Sequence, residues 1–242
     1  MKTVILAAGI GKRLKPITES IPKVMATVNS KPVLEYIVRN LKDVGLNDLV
    51  LIVGYKKEAI INHFGDGKKF GVKIEYVDQG QLLGTGHAVL MAENKIQDNE
   101  FVVCYGDSIF PAEHIKKMLE EFRKRKLDAA MSVQNVSKEE ITGLGNVVIK
   151  SGLVVDIIEK PSADKAIGSA AFTGFAVVRR EVFEYLKKTP ESSAVKGEYG
   201  FPDALKMMAQ DGKAVGVVFT SGRLHLTSKE DLEKISKQIN QI

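Results

Sequence analysis

Tryptophan is missing from the 242 residues of this chain, cysteine occurs once, and aromatic side chains make up only 7%. The single Cys104 leaves no partner for a disulfide within the chain, which suits a reducing compartment. It falls in the apolar run Phe101-Val102-Val103-Cys104-Tyr105 and reads as a core residue. No apolar run approaches the roughly 20 residues that span a bilayer. Met1-Lys2 leads into a short strand without a signal-peptide pattern, so no membrane partner and a cytoplasmic location are expected. Scarce aromatics and the lack of a concentrated basic stripe argue against a nucleic-acid partner, which would call for stacking rings beside clustered cations. The net charge of +5 permits an anionic ligand, but most of the excess is lysine scattered over helix faces.

What is present has an ordinary globular balance, 44% hydrophobic and 27% charged. A chain of this length buries roughly 70–75% of its unfolded surface and needs no staple. Strand and helix patterns alternate. Val33, Leu34, Ile37, Val38 and Leu41 form a helical stripe over 32–44, with Gly45 as its stop. Strands are expected at 49–53, 72–77 and 101–105, and helices at 56–64, 84–96 and 113–125. Continuous apolar strands indicate cover on both faces, as in a mostly parallel sheet. Beyond residue 126 the pattern becomes richer in strands, at 129–136, 146–150, 153–159 and 170–178, with a hairpin turn at Lys150-Ser151-Gly152. Helices at 180–187 and 201–210, a strand at 214–219 and a helix from Ser228 complete the chain. The expected class is a Rossmann-like α/β fold: a mostly parallel mixed sheet with helices on both faces and a small β-rich insertion, all in one domain.

The first strand ends in Leu6-Ala7-Ala8-Gly9-Ile10-Gly11-Lys12-Arg13-Leu14-Lys15-Pro16, followed by Pro22-Lys23. Gly9 and Gly11 permit φ > 0 and a close approach of backbone to ligand. Successive N–H groups in such a turn form an anion nest, and Lys12, Arg13, Lys15 and Lys23 supply cations. The dinucleotide fingerprint is excluded, because Leu14 stands where its third glycine belongs. The P-loop is excluded by Leu6 and Arg13.

Leu6 to Thr18, with Pro22 to Met25 and Lys31 to Tyr36, resembles the sugar-phosphate nucleotidylyltransferases, and among them the glucose-1-phosphate uridylyl- and thymidylyltransferases. Lys12 departs from the Thr or Ser of many relatives. The resemblance weakens after about Gly212, and the chain resembles the catalytic domain alone. It implies Mg²⁺-dependent transfer of a nucleotidyl group from UTP or dTTP to a sugar-1-phosphate, with pyrophosphate released. Catalysis would then be positioning and charge neutralisation. It further implies one domain over 1–242, with a nucleotide-binding half at about 1–126, a sugar-phosphate-binding half at about 127–227 and a C-terminal helix at 228–242. A homo-oligomer is a further expectation from it.

Residue by residue, the resemblance implies a catalytic set of Arg13, Lys23, Asp107 and Lys160. A nucleotide site would be formed by Ala7, Ala8, Gly9, Gly11, Lys12, Arg13, Gln79 and Gly84. Gly145, Glu159, Lys160 and Gly174 would form the sugar-phosphate site, and Asp107 and Asp203 would hold Mg²⁺. Asp107 also ends a strand at its carboxyl end, where α/β sheets place ligands. His87 reads as helix surface. Departures are Leu144 for Tyr, Pro202 for Thr, and Arg223-Leu224-His225 for a Trp-x-Asp pattern. Two other readings remain: a GTP- or other NTP-dependent enzyme for mannose-1-phosphate or another sugar or polyol phosphate, and a sensing subunit without turnover. The retained Arg13, Lys23, Asp107 and Lys160 argue against loss of turnover.

Overall fold

The computed structural model describes residues 1–159, 161–191 and 197–239. In chain order the strands are β1 (Lys2–Leu6), β2 (Thr27–Val28), β3 (Lys31–Pro32), β4 (Asp48–Val53), β5 (Lys73–Asp78), β6 (Glu100–Tyr105) and β7 (Ser108–Ile109), then β8 (Ala129–Asn135), β9 (Gly145–Lys150), β10 (Leu153–Glu159), β11 (Ala170–Arg179), β12 (Val215–Phe219) and β13 (Leu224–His225). The helices are α1 (Val33–Asp43), α2 (Lys57–Phe64), α3 (Gly84–Leu90), α4 (Ala112–Lys124), α5 (Lys138–Ile141), α6 (Val182–Leu186), α7 (Phe201–Gln210) and α8 (Lys229–Gln238).

One nine-stranded sheet organises the molecule, in the order β5-β4-β1-β6-β11-β8-β12-β10-β9. The first four strands are parallel, and so is the β8–β12 pair, but β11 runs antiparallel to both of its neighbours β6 and β8. The mixed sheet thus has a parallel half and a largely antiparallel half. The apolar run of β11 is buried along nearly its whole length whichever way it points. Continuous hydrophobicity reports cover on both faces and carries no direction.

Alternate residues of the central strands feed two cores. Ile5, Leu49, Leu51, Val102 and Cys104 face α1, α2, α4 and α8, while Val4, Val50, Ile52, Phe101 and Val103 face α3, α6 and α7. Burying each large side chain contributes about 1.5–3 kcal/mol, which offsets the ordering entropy of the strands. Phe101 stacks on Phe183 with ring centroids 5.2 Å apart. Helix α1 stops as its sequence indicates. Gly45 takes φ +83°, its N–H donates to the Lys42 carbonyl, and Leu46 N–H reaches back to Leu41. These are the two bonds of a Schellman cap.

The β9–β10 hairpin turns on Ser151 and Gly152, at φ +51° and +76°, the paired positive values of a type I′ turn. Helix α3 ends at Leu90, shorter than the sequence suggests, and a separate 3₁₀ turn covers Glu93–Lys95. Helix α5 has a capping box between Ser137 and Glu140.

Candidate active site

The carboxyl ends of β1 and β6 lie side by side, with Leu6 paired to Tyr105. Gly106 N–H donates to the Leu6 carbonyl at 2.9 Å, and a Cβ at Gly106 would meet that oxygen at 2.7 Å. This close passage delivers Asp107 beside the glycine loop of β1. In that loop Ala7 and Ala8 are buried, with Ala7 N–H bonded to Ile52 and the Ala8 carbonyl accepting from Tyr55 N–H. Of the two loop glycines that permit a positive φ, Gly11 takes one, +73°, and Gly9 does not. The requirement at Gly11 is also one of space, since a Cβ there would meet Lys23 Cβ at 2.6 Å. Thr18 Oγ1 donates to the Gly11 carbonyl and closes the loop over Lys23.

Lys23 Nζ reaches Asp107 Oδ2 at 2.5 Å, and His225 Nε2 stands 3.6 Å from the same oxygen. Burial would raise the Asp107 carboxyl, but Lys23 and His225 outweigh it and hold the group well below the ordinary carboxylate range. His225 is brought there by the short β7–β13 pairing, in which it lies opposite Ser108. Its Nδ1 is 3.2 Å from Thr227 Oγ1, and Leu226 N–H donates to the Asp107 carbonyl. Arg223, at the entry to β13, donates to Ser108 Oγ and to Gln134 Oε1. Both partners are neutral. Burial pushes the Arg223 guanidinium down to about 10, with the Asp107 charge working the other way. The tail that departs from the Trp-x-Asp pattern is therefore built into the centre of the candidate site.

Two cavities meet at this point. One of about 490 Å³ is lined by Gly9, Gly11, Lys12, Gln79 and Gly84, among others. The other, of about 610 Å³, is lined by Arg13, Glu140, Gly145, Glu159, Tyr199 and Arg223, among others. Lys23, Thr85, Tyr105, Asp107 and Glu198 line both. Burial raises the Tyr105 hydroxyl strongly, a hydrogen bond with Thr85 partly offsets this, and the charges of Glu159, Asp107 and Asp203 push it further up.

The expected residues are thus largely brought together. Lys12 and Arg13 are exposed, and neither has an ion-pair partner among the described residues. Gln79 is buried, with its Nε2 donating to the Gly84 carbonyl at 3.0 Å. Gly84, at φ +94°, lets the Tyr199 backbone pass; a Cβ would meet the Tyr199 carbonyl at 2.6 Å. That contact ties the 198–200 segment to the start of α3, where Gly86 N–H donates to Tyr199 and Phe201 N–H to Thr85 Oγ1. Gly145 pairs with Glu159 across the β9–β10 ladder, at the cavity wall. Gly174, at φ +89° on β11, makes room for the Tyr105 ring, which a Cβ would meet at 2.7 Å, and is not itself a lining residue. Lys160 lies outside the described residues.

Asp203 sits in the first turn of α7 and is absent from the lining of either cavity. Its Oδ2 is buried without a hydrogen-bond partner, and burial pushes its carboxyl up, with Lys206 offsetting part of the shift. Among the described residues no cluster of three or more His, Cys, Asp or Glu side chains is arranged to hold a metal. His87 is half-buried and lies against Gln79 rather than on the open surface. Sequence reading missed Arg223, His225, Glu198 and Tyr199, all on short strands or loops without periodic signal.

Comparison with known proteins identifies the family. A family model described as nucleotidyl transferase matches residues 2–238. The UTP–glucose-1-phosphate uridylyltransferase AglF of Haloferax volcanii is 33% identical over 243 residues, covering 100% of this chain and 97% of that protein. The bifunctional protein GlmU of Methanococcus maripaludis is 37% identical over 220 residues, covering 90% of this chain and 49% of that protein. A crystal structure of UDP-glucose pyrophosphorylase complexed with UDP-glucose superposes with a TM-score of 0.88 at 25% identity, covering 99% of this chain and 98% of that one. With these matches across nearly its whole length, the chain belongs to the nucleotidyl transferase family.

Proposed function

We propose that this nucleotidyltransferase moves a uridylyl or thymidylyl group from UTP or dTTP to a sugar-1-phosphate, glucose-1-phosphate foremost, releasing pyrophosphate. The observation that carries the reading is the junction of two cavities at one lysine–aspartate pair on the carboxyl ends of parallel strands. The nucleotide takes the smaller cavity, its base against Gln79 and Gly84 and its phosphates along Gly9 to Lys12, directed toward Arg13 in the wall of the larger cavity. The sugar phosphate takes the larger, against Gly145 and Glu159, with Lys160 assigned to its phosphate. A sugar-phosphate oxygen attacks the α-phosphorus, the α–β bridging bond breaks, and that electron pair leaves on pyrophosphate. No covalent enzyme intermediate is needed. Arg13, Lys23 and Arg223 then act by position and charge.

The donor set suits Mg²⁺. Among the described lining residues of the larger cavity, Asp107, Glu140, Glu159, Glu198 and Asp231 outnumber Arg13, Lys23 and Arg223. A polyphosphate entering such a site calls for further positive charge. Mg²⁺ asks for only one or two carboxylates, completed by phosphate and water. Asp107, held ionised, is the anchoring ligand in this proposal, and Asp203 is the second, its buried unpartnered oxygen being a donor that a cation would satisfy. When bound, Mg²⁺ would neutralise phosphate charge.

Pyrophosphate release across a panel of nucleotides and sugar phosphates tests the reading. One methyl in an apolar pocket is worth about 0.8 kcal/mol, so UTP and dTTP should differ by roughly fourfold in kcat/KM on that ground. CTP, GTP and ATP should be much poorer, because a mismatched base edge leaves buried groups unpaired at about 1–3 kcal/mol each. GTP as the best donor would move the assignment to the mannose-type alternative. Ligand-induced stabilisation without turnover would make the chain a sensor.

A further inference from the structure

Gln79 and His87 stand apart from the phosphate chemistry, and their contact bears on how a base is read. The Gln79 side chain is 6% exposed. Its Nε2 donates to the Gly84 carbonyl at 3.0 Å and stands 3.3 Å from His87 Nδ1. A backbone carbonyl can only accept, so the Gly84 contact fixes which end of the amide is nitrogen. That nitrogen carries two hydrogens, and the second is directed at His87. Nδ1 must then accept, which puts the ring proton on Nε2 and requires a neutral imidazole. Burial pushes the His87 ring pKa down, in keeping with that state. Both amide hydrogens are used within the protein, and Oε1 has no hydrogen-bond partner among the described residues. Gln79 and Gly84 both line the cavity of about 490 Å³.

We propose that His87 is a positioning residue that locks the Gln79 amide with its oxygen toward the nucleotide base, so that the pocket favours a base presenting a ring N–H and rejects one presenting a lone pair there. The inference rests on the nucleotide reading above and deepens it. Uracil and thymine carry a hydrogen on N3, which Oε1 accepts. Cytosine N3 is itself an acceptor. To meet cytosine the amide must turn over, which breaks two hydrogen bonds, sets Oε1 against the Gly84 carbonyl and obliges the imidazole to move its proton from Nε2 to Nδ1. Removing the His87 acceptor leaves only the Gly84 half of that penalty. His87 would touch neither base nor phosphate; it acts through Gln79.

The test measures UTP and CTP affinities by calorimetry for the wild type, His87→Phe and His87→Asn. Phe fills the space without an acceptor, whereas Asn Oδ1 takes the place of Nδ1. The UTP-over-CTP preference should fall about threefold to tenfold in His87→Phe, the worth of one net hydrogen bond, and return in His87→Asn. A purely structural role would weaken both nucleotides together and leave their ratio unchanged. An unchanged ratio in a His87→Phe protein that still binds UTP overturns the lock and leaves the transferase reading standing. Wild-type protein that binds UTP and CTP alike removes the selection of uracil and thymine over cytosine and the lock with it. Nitrogen-15 spectra of histidine-labelled wild type give a measurement that needs no variant. His87 should appear as the Nε2–H tautomer at neutral pH, and an Nδ1–H tautomer or an imidazolium overturns the inference.

Discussion

The two ends of the parallel half-sheet carry the same kind of contact in different settings. At the amino end of β1, Lys2 Nζ reaches Glu75 Oε1 on β5 at 2.7 Å, and Lys95 reaches the other oxygen at 3.0 Å. At the carboxyl end, Lys23 reaches Asp107 at 2.5 Å. All four side chains of the two main pairs are about equally covered, between 17% and 26% exposed. What differs is the setting. Glu75 is enclosed by lysines and lines neither cavity, whereas Lys23 and Asp107 line both. Pair geometry therefore says little about role; the role follows from which end of the strands the pair occupies and what space opens beside it.

The largest effect should come from removing the carboxylate at the carboxyl end. Asp107→Asn is expected to lower kcat/KM by about 10²–10³-fold, the scale of one lost electrostatic contact in a catalytic site. Circular dichroism should show that the protein still folds. Asp203→Asn separates the two proposed Mg²⁺ ligands: near-normal turnover at saturating Mg²⁺ would remove Asp203 from the site. Lys23→Ala should cost roughly 10- to 100-fold in kcat/KM, since a hydrogen bond to a charged group is worth about 1.5–3 kcal/mol. If Lys23→Ala altered only thermal stability, the contrast between the two ends would collapse.

Gly11→Ala makes a smaller and mixed change. The residue sits at φ +73°, and its new Cβ would press on Lys23 Cβ. A non-glycine residue in that region costs about 1–3 kcal/mol, so both stability and the KM for nucleotide should suffer. Gly9→Ala should be milder, because no atom lies within 4 Å of a Cβ there and its φ is not positive. Equal effects at the two glycines would show that the loop acts only through its backbone donors.

This glycine loop also marks how far sequence alone carries. Helix α1, its Gly45 stop and the strand ending at Asp107 could be read because periodicity and turn chemistry are local properties. The hairpin turn at Lys150-Ser151-Gly152 was legible for the same reason, and the structure adds its type I′ geometry. Strand direction in the second half of the sheet was not, because β11 shows the same unbroken apolar run in either direction. Nor could the sequence reveal that Arg223 and His225 close over Asp107. They arrive on β13, a two-residue strand paired with the two residues of β7, too short for any periodic signal. Arg223-Leu224-His225 replaces the Trp-x-Asp pattern of many relatives, so the resemblance offered no guide either. The Ser137–Glu140 capping box was visible as a motif, and with it α5 could have been found. Glu198 and Tyr199 reach the site only through the crossing at Gly84, a tertiary contact with no local signature.

The smallest effect is expected at the amino end of the sheet. Hydrogen bonds from Lys2 and Lys95 lower the Glu75 carboxyl from its ordinary 4.5 to about 2. A carboxylate whose pKa is depressed by folding adds stability that is complete above its unfolded value and lost as pH falls through the folded one. The Glu75 contribution should therefore be present in full at pH 7, begin to fade below about 4.5 and vanish near 2. Solvent screening keeps such a network to about 1 kcal/mol. Glu75→Gln should accordingly lower unfolding free energy in urea by about 1 kcal/mol at pH 7, with the gap to wild type narrowing at pH 3.5 and kcat/KM unchanged. A gap that held its full size at pH 3.5 would mean that the side chain contributes by packing, since glutamine does not titrate. A loss of turnover in this variant would be more damaging, because it would couple the amino end of β1 to the chemistry at the other and erase the distinction between the two pairs.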